Sequence, residues 1–83
     1  MIWTVTYDDI ATDELADLYN NAEDKRAVTS AADYIETLLR HDADQKGHVL
    51  NGTRLLVVLP LAVIFSVSPD DMLVKVLRVL RIP

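Results

Sequence analysis

The chain has 83 residues, thirteen acids against eight Lys and Arg, a formal net charge of −5 and no cysteine. That length supports one domain near the small end of what a single core can hold, and the missing cysteines exclude a disulfide framework and a thiolate metal site. The charge is uneven: residues 1–48 carry −7 and residues 49–83 carry +2, so the acidic half argues against a protein that lives on phosphate contacts.

Trp3-Thr-Val-Thr-Tyr7 alternates large apolar residues with Thr, which predicts an edge strand. Asp8 and Asp9 suit the cap of a first helix, in which Leu15, Leu18, Tyr19 and Ala22 share one side and Asp13, Asp17 and Asn20 the other. Asn20 to Asp24 breaks the pattern, and Asp24 is placed to cap a second helix. There Val28, Ala31, Ala32, Ile35, Leu38 and Leu39 recur at helical spacing as far as His41. Asp42 to Gly52 reads as a polar loop carrying His48 and both glycines.

From Arg54 to Arg81, three runs rich in Val, Leu and Ile are separated by breaks at Pro60 and Pro69. β-branched residues fit a pleated surface and Pro interrupts a ladder, so these predict an antiparallel meander over 54–59, 61–68 and 73–80. The expected architecture is therefore α+β, in the order β-α-α-β-β-β, with two N-terminal helices on one face of a four-stranded, mainly antiparallel sheet. Leu61, Val63, Phe65 and Val67 point one way in the third strand, and Ala62, Ile64, Ser66 and Ser68 the other. In the last strand Leu73, Lys75, Leu77, Val79 and Arg81 alternate with Val74, Val76, Arg78 and Leu80. Two short helices cover only one side of such a sheet. The other side should leave an apolar patch, the mark of a surface met by a partner or a second copy. At roughly 25 cal/mol per Å² of apolar burial, a few such side chains are worth several kcal/mol on association.

The run 55–67 is too short for a membrane helix and contains Pro60, so no membrane span is expected. The start lacks the basic and apolar regions of a signal peptide, which suits a cytoplasmic protein. No phosphate loop, nucleophile elbow or zinc spacing is present, and neither a metal nor a cofactor is expected. His41 with Asp42 and Asp44 reads as a solvated turn, and Pro69-Asp70-Asp71 as a turn between strands. Trp3, Tyr7 and Phe65 read as core.

The order and texture of the elements resemble the RelE/ParE superfamily of toxins from type II toxin–antitoxin modules, often called plasmid stabilisation proteins. The residues that carry the likeness are Trp3-Thr-Val-Thr-Tyr7, Leu15-Ala-Asp-Leu-Tyr19, the run from Ala27 to Leu39, the run from Arg54 to Val67 and the run from Asp70 to Val79. The resemblance implies a toxin held by a cognate antitoxin that wraps the sheet and helices. It also implies a target: ribosome-bound mRNA for the ribonuclease members, DNA gyrase for others.

The ribonuclease residues carry over only in part. Arg54 meets the base that opens the family's second strand, but the second base of that strand falls on Leu56. The Tyr-Arg pair that opens the third strand in many members is Leu61-Ala62 here. Arg78 and Arg81 are candidates for the terminal arginine, and only Ile82-Pro83 follows them, without the Tyr or His of active ribonucleases. RNA cleavage needs a base for the 2′-OH and cations for the developing charge. The candidate catalytic residues are thus Arg54, Arg81 and His48, and the candidate partner-binding residues are Arg54, Ile64, Arg78 and Arg81. A loop histidine is also commonly just exposed, and arginines at strand ends are commonly just solvated. Arg54 and Arg81 are expected on neighbouring ends of the sheet, whereas Arg78 and Arg81 differ in parity and one of them should be structural. The reading favoured by the sequence is a toxin acting by protein contact, or attenuated. The alternatives are an mRNA endonuclease and a non-toxic module that pairs with itself through the sheet as a homodimer.

Overall fold

The computed structural model describes residues 2–83. In chain order the elements are β1 (Thr4–Tyr7), α1 (Asp9–Asn21), α2 (Lys25–Asp42), β2 (His48–Leu50), β3 (Thr53–Val58), β4 (Leu61–Ser68) and β5 (Leu73–Arg81). Short 3-10 turns lie at Ala43–Gln45 and Pro69–Asp71. One mixed sheet has the order β1-β5-β4-β3-β2, with β1 parallel to β5 and every other pair antiparallel.

The α+β class and the two helices before the meander are as expected, but the sheet has five strands rather than four. The extra strand lies in the segment read as a polar loop. His48, Val49 and Leu50 pair with Leu55, Arg54 and Thr53 across a turn in which Asn51 has φ 42° and Gly52 φ 87°. Positive φ at both central residues is the two-residue hairpin turn whose twist matches its flanking strands, and Asn-Gly is its preferred pair. Gly47, just before β2, has φ +82°, and a Cβ there would lie 2.9 Å from the Leu55 carbonyl oxygen and 3.2 Å from the Phe65 ring. Only glycine lets the chain pass this close to β3.

α2 is the best-anchored helix. The Asp24 carboxylate accepts from the Ala27 N–H at 3.0 Å, the cap expected of it, and Val28, Ala31, Ile35 and Leu39 are buried along one stripe. α1 begins at Asp8, whose carboxylate makes no cap bond and instead lies 3.7 Å from Lys75 Nζ. Both helices pack on one side of the sheet, over Leu61, Val63 and Phe65 of β4 and Val74, Val76 and Val79 of β5. Trp3 and Phe65 belong to this core, and Tyr7 packs at its edge.

The alternation expected for β4 is the one observed. That of β5 breaks at Leu77, because Phe65 pairs with Val76 while Ile64 pairs with Arg78. The extra residue is a β-bulge, and it keeps Val76 and Val79 on the same, helix-facing side. Arg81 follows Val79 to that side, and Lys75, Arg78 and Leu80 take the far one.

Candidate functional site

The far face of the sheet carries no helix. Residues directly opposite one another on paired strands share a face, so the register writes this surface out in rows. One row runs His48, Leu55, Ile64, Arg78, and the next runs Val57, Ala62, Leu80. Val57 is 46% exposed and Leu59, in the turn beside it, 68%, whereas Ala62 is shielded by its larger neighbours. Further along, Ser66 pairs with Lys75 and Ser68 with Leu73, so the face turns polar there. The apolar patch lies at the end that holds the β3–β4 turn.

The register does not bring the candidate arginines together. Arg54 pairs with Phe65, on the helix side. Its Nη1 donates to the carbonyls of Asp44 at 2.8 Å and of Ala43 and Lys46 at 3.4 Å each. This guanidinium ties down the connection after α2, where carbonyls at a helix end lack partners. Arg81 pairs with Leu61, four residues from Phe65 along β4 and so about 13 Å away at the opposite end. The expectation that Arg54 and Arg81 sit on neighbouring ends does not hold, because β3 and β5 flank β4 in antiparallel register. Among the described residues Arg81 makes no side-chain hydrogen bond or ion pair. It borders a shallow depression of about 290 Å³ shared with Asp17, Leu18 and Asn21.

Arg78 leaves the far face and reaches round the sheet edge to Glu14 of α1, with Nε at 2.9 and 3.0 Å and Nη2 at 2.7 Å from its carboxylate. Glu14 also accepts from the Val79 N–H at 3.0 Å. β1 pairs with β5 only as far as Val76, so Glu14 occupies the strand edge that β1 leaves open. The Arg78 hydrogen bonds hold the Glu14 carboxyl below the usual carboxylate range, against a partial burial that pushes it up, and the Val79 N–H lowers it further. Sequence reasoning missed this pair, whose members stand 64 positions apart. His48 is exposed on the edge strand, on the opposite face from Arg54. Among the described residues no three His, Cys, Asp or Glu side chains are grouped to hold a metal.

A second surface lies between the helices. Thr12, Leu15, Ala16 and Tyr19 of α1 and Val28, Thr29, Ala32 and Asp33 of α2 enclose a groove of about 480 Å³, with Tyr7 among its lining residues. The Tyr7 phenol is pushed up from its ordinary pKa by burial, and then by the charges of Glu36 and Asp33.

Two helices laid on one side of a mixed sheet, with β1 returning parallel to the last strand, make a fold that this chain shares with solved RelE and ParDE proteins. Three solved structures carry that likeness. The RelBE2 toxin–antitoxin complex of Mycobacterium tuberculosis superposes with a TM-score of 0.78 at 16% identity, over 98% of this chain and 92% of that one. The chromosomal ParDE system of P. aeruginosa gives 0.71 at 19%, over 99% and 98%. A free-state mutant of the E. coli toxin RelE gives 0.72 at 12%, over 98% and 84%. By sequence, no protein-family model and no curated protein matches the chain.

Proposed function

We propose that this protein is the toxin component of a type II toxin–antitoxin module, neutralised by direct binding of a cognate antitoxin. We further propose that it acts by protein contact, or is attenuated, rather than by cutting RNA. The fold shared with toxins solved as RelBE and ParDE complexes supports the first part. The second part rests on where the cations are. Arg54 is bound to three backbone carbonyls and Arg78 to Glu14, and the face that helices leave bare presents Leu55, Ile64, Val57 and Leu80. Transition-state charge on phosphate needs cations aimed at one point. Here Arg81 stands alone at one end, and Arg78, the cation in the same row as His48, is already paired with Glu14. A net charge of −5 adds to the mismatch with RNA. A protein target such as DNA gyrase suits this surface better than ribosome-bound mRNA, and either target places the chain in the cytoplasm.

The test is production of the chain alone in a bacterial host, with growth, transcript ends and plasmid supercoiling followed together. Growth arrest without new transcript ends, relieved by the product of a small adjoining reading frame, is the expected result. Transcript cleavage lost on Arg81→Ala would reverse the preference and establish a ribonuclease. Unchanged growth at high soluble yield, with a concentration-independent dimer in light scattering, would favour the self-associating module. The exposed Val57 and Leu59 on the bare face motivate that second reading.

A further inference from the structure

Register places two cations on the bare face, Lys75 opposite Ser66 and Arg78 opposite Ile64. Neither stands free there. Lys75 Nζ lies 3.7 Å from the Asp8 carboxylate. Arg78 is held more closely: its Nε and Nη2 donate to the Glu14 carboxylate of α1 over distances between 2.7 and 3.0 Å. This detour round the sheet edge is open because β1 pairs with β5 only as far as Val76. β2, β3, β4 and β5 contain no Asp or Glu. On its own face Arg78 therefore meets Ile64 in its row and Leu80 two residues on, and its counter-charge has to come from α1.

The geometry of this pair suits exchange. The Arg78 side chain is 50% exposed and that of Glu14 23%, so the pair can open without leaving a charge buried, and exposed ion pairs hold weakly. Glu14 also has a second partner. Its Oε1 accepts from the Val79 N–H at 3.0 Å, so the carboxylate stays at the strand edge when the guanidinium departs. The fold then loses one exposed contact. The bare face gains a planar fork of donors in apolar surroundings, where a charge-assisted hydrogen bond is stronger than in open water.

We propose that Glu14 is an autoinhibitory latch on Arg78. In the free chain it keeps the guanidinium off the bare face, and a ligand presenting an oxyanion beside an apolar group draws Arg78 back and takes the place of Glu14 on it. A ligand shifts such an equilibrium only by binding one state better than the other. The open state offers the oxyanion a bidentate cation with Ile64 and Leu55 next to it in the same row. The closed state offers the apolar residues alone. Purely apolar groups therefore gain nothing from opening, while oxyanions compete with Glu14, and their apparent affinity falls by the fraction of chains that are open. The inference concerns how the face is gated, and it stands or falls separately from the toxin reading.

The test is an NMR titration of the full chain with straight-chain probes of equal length: octanoate, octyl phosphate and uncharged octanol. A tail lying across Ile64 to Leu55 covers two strand spacings, about 10 Å from Arg78. The charged probes should move the Arg78 Nε–H signal and the amides of Leu55, Ile64 and Leu80, and octanol the amides alone. Glu14→Gln, which still accepts from Val79, should tighten binding of the charged probes by roughly fivefold, the ratio an exposed ion pair can set, and leave octanol unchanged. Glu14→Asp keeps the charge but shortens the reach, and should give a gain of the same sign. Glu23→Gln removes the same charge at an exposed bend and should give none. Adding Arg78→Gln to Glu14→Gln should erase the gain, and the head group that gains more identifies the oxyanion as carboxylate or phosphate. No tightening in the folded Glu14 variants, an equal gain with octanol or with Glu23→Gln, or a gain that survives Arg78→Gln would each overturn the proposal. So would an Arg78 Nε–H signal in the natural chain that stays fixed at saturating octanoate and octyl phosphate.

Discussion

Glu14 does three things with one carboxylate: it pairs with Arg78, accepts from the Val79 N–H and fills the edge of β5 that β1 leaves open. An uncovered strand edge is a template for unwanted pairing, and a charged side chain across it blocks that. Because the folded state holds this carboxyl below its ordinary pKa, chiefly through Arg78, its contribution is complete above the unfolded value of about 4.3 and fades as pH falls through the lower folded value. The substitution Glu14→Gln should therefore melt a few degrees below the natural chain at pH 7, and the gap should close on acidification below the ordinary carboxylate range. Thermal melts across a pH series check this, and a gap that stays constant would mean that charge is not what Glu14 contributes. Neither Glu14 nor Arg54 could be assigned from sequence, since each acts through partners set by tertiary packing. Asp24, whose cap bond spans three residues, could.

Legibility differed element by element for a physical reason. In α2 the apolar residues keep a 3.6 period over 18 residues, and the buried set Val28, Ala31, Ile35 and Leu39 follows from it. In β4 every residue from Leu61 to Phe65 is apolar, so the strand was readable as a short unbroken apolar run bounded by turn residues rather than by alternation. β2 has three exposed residues and therefore no alternation to read. Its signal lay in the turn chemistry of Asn51-Gly52, which outweighs the polar composition around it. β5 misleads for another reason: nothing in Val76-Leu77-Arg78 announces a bulge. The weight of α2 can be measured. Ile35 is 1% exposed against the sheet while the adjacent Tyr34 is 57% exposed. Ile35→Ala should cost about 2–5 kcal/mol, a large share of the roughly 5–15 kcal/mol that holds a domain together. Tyr34→Ala should shift the urea midpoint little. Comparable losses at the two positions would contradict the packing described here.

At the scale of the molecule, the two helices leave one side of a five-stranded sheet bare, and the shortage of cover was readable from the count of helical residues before any contact was known. What sequence could not show is that charge and shape separate onto opposite sides. The acids Asp9, Asp13 and Asp17 stand on α1, on the helix-covered side, while Val57, Leu80 and Ile64 mark the far face of the sheet. A chain built this way can be held on one side and meet its target on the other. The substitutions Val57→Lys and Leu80→Lys place charge on the far face, at an exposed and a half-buried position, without entering the helix-covered core. Together they should abolish growth arrest while leaving the melting temperature within a few degrees. Arrest retained in the folded variant would show that the bare face is idle. Since a folded variant is required in either case, the outcome reports on the surface and not on the stability of the sheet beneath it.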